Sequence, residues 1–314
     1  MCGILGLIDF KNNTINRKFF SDSLDKIMHR GPDGSKQLYI DNIALGHNRL
    51  SIIDLTDDAN QPFVSDCGNY VLVFNGEIYN FKEIRSDLEA KGRVFRTYSD
   101  TEVIVEGFAH FGEEIFKKLN GMFAVVIFDR KEKTATLARD PFGIKPLYIY
   151  RNGQQLAVSS EMRPIRRFMN RTEVDESSLA ELIFYRHTAG VKSNLKGIDM
   201  LAGGEVMRFE IMSGNVQKTS FCDPLDLLQN KSGEDQTSEE TILEVEDLLR
   251  SSVTSQLMGD VGVSVQLSGG VDSSLVLALG CGASQTKMAS YAVQLDDPRF
   301  DEGDHRRRVV ELSL

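Results

Sequence analysis

Two different rhythms divide this sequence, and the break between them constrains its fold more than any single motif. Up to about residue 210 it runs as short β-rich stretches joined by tight turns: "CGILGLIDF", "GNYVLVFNGEIYN", "GMFAVVIFDRKEKTATLARD" and "PLYIYRNGQQLAVSS". The third predicts a hairpin around Lys131 to Lys133, and the fourth a turn at Asn152-Gly153. Helical spacing interrupts them at "FSDSLDKIMHR", with Ser21 or Asp22 as cap. It returns at "NFKEIRSDLEAKG", closed by Gly92, and at "SDTEVIVEGFAHFG", opened by Ser99 or Asp100. Hairpin-joined strands with intervening helices predict an α+β layered domain over residues 1–212.

The second rhythm starts after a polar stretch without periodicity, residues 213–237, which is expected to be a linker. "SEETILEVEDLLRSSVTSQLM" reads as a helix opened by Ser238 and the glutamates behind it. "VGVSVQLSGGVDSSLVLALG" is a buried strand, a glycine turn and a helix; "KMASYAVQL" reads as a second, parallel strand. These make residues 238–314 the start of an α/β domain. So few elements cannot cover both faces of a doubly wound sheet. The second domain is therefore expected to be incomplete, with an apolar face bare unless another chain covers it; a homodimer is one such cover.

Length and charge agree with two domains and narrow the function. A chain of 314 residues exceeds one ordinary core. The net charge of -10 argues against nucleic-acid binding, which needs a basic face. No apolar run approaches the roughly 18 residues of a membrane span. Asp9 and Lys11 break any leader-like stretch, so no signal peptide is expected. Cys2, Cys67, Cys222 and Cys281 lie far apart, which predicts reduced thiols in the cytoplasm rather than a disulfide framework or a metal site.

Four features carry chemistry in the first domain. Cys2 with its α-amine exposed would be a nucleophile with its own base, the amine and thiol having ordinary pKa values near 8 and 8.5; otherwise it is a buried cysteine on a first strand. Asn75-Gly76 after an apolar strand offers a side-chain amide beside a backbone N–H, an oxyanion hole or a hairpin turn. Arg49 in "GHNRLSIID" suits a carboxylate clamp or an exposed strand edge. Asp100 in "YSDTEVI" caps a helix or grips an ammonium. Arg49 and Asp100 together describe a site for an α-amino acid. In the second domain, "LSGGVDSS" joins a strand to a helix N-terminus, a phosphate cradle without the lysine of a Walker A motif or a plain turn of small residues.

In order along the chain, "MCGILG", "HRGPDG", "GHNRLSIIDL", "QPF", "VFNGEIYNF", "SDTEVI", "NGMFAVVIFD", "ARDPFGIKPLY", "SSE" and "LSGGVDSS" resemble the glutamine-hydrolysing asparagine synthetases. The resemblance covers nearly all of residues 1–165 and then the nucleotide motif near 268. It implies a class II glutamine amidotransferase domain, an N-terminal-nucleophile αββα sandwich, joined to an ATP-pyrophosphatase domain. Cys2 would attack the glutamine amide, with Asn75 and Gly76 stabilising the oxyanion. Arg49 would hold the α-carboxylate, Leu50, Ser51, Ile52 and Ile53 would line the pocket, and Glu77 and Asp100 would hold the α-amine. Ammonia would pass through an internal tunnel to a second site. There ATP, with Mg²⁺ on its triphosphate, would convert aspartate to β-aspartyl-AMP, and ammonia would displace AMP to give asparagine. Leu267, Ser268, Gly269, Gly270, Val271, Asp272 and Ser273 match the nucleotide motif, and Val293 falls where the next strand would face adenine. Glucosamine-phosphate synthase and phosphoribosyl-pyrophosphate amidotransferase share the glutaminase half but not the "SGGVDS" loop.

Two departures bear on what the chain can do. Gly262 stands where relatives commonly carry proline. After "FDEG" the later ATP- and aspartate-binding segments do not follow, so "ELSL" is expected to be a shortened end. Three readings result: an asparagine synthetase or a relative aminating another carboxylate, a truncated chain with glutaminase activity only, and a non-catalytic remnant. The joint presence of Cys2, Arg49, Asn75 and Asp100 argues against the third.

Overall fold

The computed structural model describes residues 1–11, 13–226, 237–284, 287–294, 297 and 302–313. They divide into two units, Met1–Lys231 and Ser232–Leu314. In the first, one six-stranded sheet runs in the order β10 (Ile198–Met200), β8 (Tyr148–Arg151), β9 (Gln155–Ser159), β1 (Gly3–Asp9), β3 (Ile43–Arg49), β2 (Gly34–Ile40). The other runs β12 (Val216–Ser220), β11 (Glu205–Glu210), β7 (Thr134–Arg139), β6 (Gly121–Asp129), β5 (Tyr70–Ile78), β4 (Phe63–Val64). All these pairings are antiparallel.

The period of two along β1 explains the layers. Ile4 and Ile8 enter a core between the sheets with Val71, Val73, Val126 and Phe128. Leu5 and Leu7 point the other way, onto Phe20 and Leu24 of α1 (Arg17–Leu24) and Ile165 of α4 (Met162–Arg166). Both faces are buried, so the strand reads as a nearly continuous apolar run. Each such side chain withdrawn from water contributes about 1.5–3 kcal/mol. Beyond the second sheet lie α2 (Phe81–Ala90) and α3 (Asp100–Phe111), whose Leu88, Val103 and Ile104 are fully buried. The order helix, sheet, sheet, helix is the expected α+β αββα sandwich.

Several boundaries differ from expectation. α1 begins earlier than its apolar spacing suggested: Asn16 caps it by accepting the Phe19 N–H at 3.0 Å, so Ser21 and Asp22 are not caps. The hairpin at Lys131–Lys133 forms, with Lys133 at φ 51°. So does the turn at Asn152, whose side chain accepts the Gln154 and Gln155 N–H groups. Asn75 and Gly76 are not a turn; they pair within β5 against Ala124 and Phe123 of β6. The stretch expected as linker begins with strand β12, paired to β11 and exposed throughout, and residues 227–236 lie outside the described residues.

In the second unit, α6 (Ser238–Gln256) is capped by Thr237 rather than Ser238. Thr237 Oγ1 accepts the Glu240 N–H at 3.2 Å while the Glu240 carboxylate accepts the Thr237 N–H at 3.0 Å, a reciprocal box. β13 (Ser264–Gln266) and β14 (Ala289–Tyr291) pair in parallel through α7 (Val271–Ala283). A further helix not anticipated from the sequence, α8 (Gly303–Ser313), follows. No side chain of α6 is buried, and Ile242, Leu243 and Leu248 stand more than 60% exposed, an apolar face left uncovered. No helix among the described residues is long and apolar enough to cross a membrane.

Candidate active site

The ends of β1, β3 and β5 meet at one cavity of about 220 Å³. Pairing of Gly3 with Asn48 sets Cys2, just before β1, beside Leu50, just after β3. Cys2 Sγ accepts the Leu50 N–H at 3.4 Å and lies 3.6 Å from the Leu50 carbonyl, to which it donates. The facing sheet contributes Asn75, Gly76 and Glu77 from the end of β5, and α3 contributes Asp100. Ser99 caps α3 through the Glu102 N–H, which frees Asp100 from capping. Its Oδ2 instead accepts the Ile78 N–H at 3.1 Å.

Asn75 supplies the most telling atom. The residue is 1% exposed, and its Nδ2 has no hydrogen-bond partner in the structure. Leaving a buried donor unmade costs about 1–3 kcal/mol; six other buried side-chain atoms among the described residues share this state, and Asn75 is the one of these residues that lines the cavity. Gly76 is required beside it: a Cβ there would stand 2.1 Å from the Met122 carbonyl oxygen.

Arg49 is buried rather than an exposed edge, and it lines the cavity. Its Nη1 donates to the Thr56 carbonyl at 2.6 Å and to Asn60 Oδ1 at 3.2 Å. Its Nη2 donates to the carbonyls of Ile53 and Asp54. The guanidinium thus organises the 50–60 loop that brings Leu50, Ile52 and Ile53 to the cavity wall. Ser51 does not line the cavity; its N–H turns to Asp33 Oδ2 at 2.8 Å.

Burial dominates the electrostatics. It pushes the Cys2 thiol upward, against the Leu50 N–H that favours the thiolate. It pushes the Asp100 carboxyl up to about 7 despite the Ile78 N–H, and raises Glu77 as well. The terminal amine, on Met1, is lowered by desolvation. His47, behind the wall on β3, is driven down to about 3 by burial and stays neutral, its Nε2 meeting the Phe74 carbonyl at 3.1 Å.

Three further residues belong to the site that sequence reasoning left without a role. Arg30 Nε donates to the Cys2 carbonyl at 2.9 Å, and its Nη1 meets Glu161 at 3.3 Å. Gln61 joins two walls, its Oε1 accepting the Phe74 N–H at 2.6 Å and its Nε2 donating to Thr101 Oγ1 at 3.1 Å. Lys145 lines the cavity as well. All three sit inside motifs already singled out, "HRGPDG", "QPF" and "GIKPLY", where polar residues between apolar ones were the available signal.

In the second unit the glycine loop leads into α7 with no side-chain cap. Ser268 and Ser273 bond to each other at 2.9 Å, and Ser268 Oγ accepts the Gly270 N–H at 3.2 Å. Gly269, at φ 99°, occupies a conformation that other residues rarely adopt. Leu267 is buried and lines a cavity of about 430 Å³ with Ala292, Arg306 and Arg307. Val271 is 83% exposed at the helix start, and Val293, 67% exposed, lies past the end of β14 and outside that cavity. The loop's one carboxylate is Asp272, and the described residues hold no cluster of three acidic, histidine or cysteine side chains. One carboxylate, with phosphate and water oxygens completing the shell, is a donor set that a nucleotide-bound magnesium ion accepts.

Comparison with known proteins places the chain in a family. Residues 1–222 match the model of the glutamine amidotransferase domain, and residues 244–312 match that of asparagine synthase. An asparagine synthetase [glutamine-hydrolyzing] 1 of Bacillus subtilis is 31% identical over 309 residues, 97% of this chain and 47% of the relative. Asparagine synthetase [glutamine-hydrolyzing] 3 of the same organism is 30% identical, covering 90% of this chain and 45% of the relative. The chain thus spans about half the length of the curated relatives it matches. Among solved structures, glutamine phosphoribosylpyrophosphate amidotransferase from B. subtilis superposes with a TM-score of 0.50 at 16% identity, covering 100% of this chain and 70% of that one. At that identity the likeness speaks for the fold.

Proposed function

The chain belongs to the glutamine amidotransferase family, and from that premise we propose that it hydrolyses glutamine at Cys2 to release ammonia. Removal of Met1 would leave the Cys2 α-amine free to take the thiol proton. The sulfur would then attack the side-chain amide carbon. Asn75 Nδ2 and the Gly76 N–H would receive the negative oxygen of the tetrahedral intermediate. Its collapse, with the proton held by the α-amine passing to the leaving nitrogen, would expel ammonia and leave a thioester, which water would cleave to glutamate and free thiol. Glu77 and Asp100 would face the substrate ammonium. Arg49 would meet the α-carboxylate by exchanging some of its bonds to the 50–60 loop for that pair. The observation that carries the reading is Asn75 Nδ2, a buried donor without an acceptor in the cavity that Cys2 lines.

The second unit extends the proposal. Its uncapped helix start and glycine loop suit the phosphates of ATP, with magnesium carried by the nucleotide. Ammonia would amidate an ATP-activated carboxylate, aspartate giving asparagine through β-aspartyl-AMP; a relative aminating another carboxylate and a glutaminase without synthesis are the alternatives. The purified protein should release glutamate from glutamine, and Cys2→Ala should abolish that release. Aspartate-dependent release of pyrophosphate from ATP separates synthesis from hydrolysis alone. Glutamate release that survives Cys2→Ala contradicts the proposal.

A further inference from the structure

Lys145 sits at the end of a loop built to hold it still. Asp140, fully buried, accepts the N–H groups of Phe123, Ile144 and Lys145 at 3.2, 2.8 and 3.0 Å. Arg139 clamps the other side: Nε donates to the Lys145 carbonyl at 2.7 Å, Nη1 to the Leu201 carbonyl at 2.6 Å, and Nη2 to the Gly143 carbonyl. The residue this loop presents, Lys145, is 6% exposed and lines the cavity with Met1, Cys2 and Glu77. It makes no ion pair with any described carboxylate. A buried ammonium without a salt-bridge partner is costly, which calls for a use.

Arg49, the other cation lining the cavity, is held by loop carbonyls. Arg30, outside the lining, bonds Glu161 and the Cys2 carbonyl and leaves its buried Nη2 without a partner. We propose that Lys145 is a positioning residue of the cysteine site, the cation that keeps the terminal amine uncharged and able to accept the thiol proton. This rests on the glutaminase reading. Desolvation is the largest influence lowering the amine, and Lys145 and then Arg30 act in the same direction. The Cys2 sulfur and Glu77 act against them. Among the other charged groups of the site, Asp100 on α3 and Arg49 on β3 act on the thiol in opposite directions. Removing Met1 moves the amine one residue inward, to the nitrogen of the residue whose sulfur it serves. Lys145 also holds Glu77 toward its charged form, so one ammonium favours a neutral base and an anionic partner for the substrate amine.

The test is the pH dependence of glutaminase kcat/KM in enzyme whose loss of Met1 is confirmed by mass. The acidic limb reports the amine together with the carboxyls of Asp100 and Glu77, which burial also raises, so ¹⁵N-cysteine titration in wild type and in each variant assigns the amine's share. Lys145→Met and Lys145→Gln should move that limb upward by about one pH unit, the size a nearby like charge imposes, and so lower kcat/KM about tenfold on the limb. Lys145→Arg should return it to the wild-type position, which a packing role would not require. An unshifted limb in either active neutral variant, or a limb in Lys145→Arg that stays with the neutral variants, overturns the proposal. Should both neutral variants fail to fold, ¹⁵N-cysteine labelling of wild type decides: the Cys2 amine should titrate below the ordinary value of about 8. Titration at or above it overturns the proposal. Loss of glutamate release in Cys2→Ala checks the glutaminase reading separately, so the two can fail independently.

Discussion

Replacing Asn75 by alanine should separate activity from stability. Removing one donor from an oxyanion hole costs about 2.7–4 kcal/mol of transition-state stabilisation, a fall in kcat of about 10²–10³. Most buried polar side chains would lose stability as well, because their partners are left unpaired. Asn75 Nδ2 has no partner to strand. Its removal relieves about 1–3 kcal/mol of unmet desolvation. That relief is offset by the small void left at a residue only 1% exposed. The two nearly cancel, so the net change in stability should stay within about 1 kcal/mol, a melting shift of no more than about 4 °C for a unit of this size. Glutamate release under saturating glutamine and a thermal melt of the same preparation measure both quantities. A kcat within tenfold of wild type, with the melt unmoved, would refute the oxyanion role. A collapse of the melt would refute the claim that the donor is unspent.

Arg49→Lys should raise the glutamine KM at least tenfold, because a point charge neither clamps a carboxylate bidentately nor holds four loop acceptors; an unchanged KM removes Arg49 from substrate binding. Glu102→Gln should lower stability by about 2–3 kcal/mol, read as a drop in the melt, since this fully buried carboxylate accepts the Arg96 and Thr97 N–H groups and the Thr97 hydroxyl. Asp100 gives a signed pH effect. Its folded carboxyl titrates near 7 against an ordinary 3.8. The native state therefore holds a proton that the unfolded chain has already lost, and stability declines as pH rises from about 4 to about 7, then levels. Asp100→Asn should gain on wild type across that window by at most about 1.4 kcal/mol per pH unit, and parallel stability curves would contradict it.

The layered fold was legible because its strands carry their pattern locally. The apolar runs at β1, β5 and β6 and the turns at Lys133 and Asn152 each announce themselves within a few residues. Boundaries failed where polar residues begin an element. Asn16-Arg17-Lys18 hid the start of α1, and β12 has five exposed residues and so no inside–outside alternation to read. The site was legible as a set of residues and much less as a set of bonds. Asn75 and Gly76 fitted a turn as well as an oxyanion hole, and only pairing with β6 rules out the turn. Arg49 and Lys145 are both cations in recognisable motifs. Which one is engaged by carbonyls and which stands unpaired depends on loops 50–60 and 140–145, and the closures of those loops are tertiary.

The account depends on a thiol whose own residue supplies the base. Intact and peptide mass spectrometry of protein turning over glutamine, trapped with acid, tests this directly. The prediction is a chain beginning at Cys2 that carries a glutamyl thioester on that residue. Active protein that retains Met1, or a glutamyl adduct on any other side chain, would contradict it.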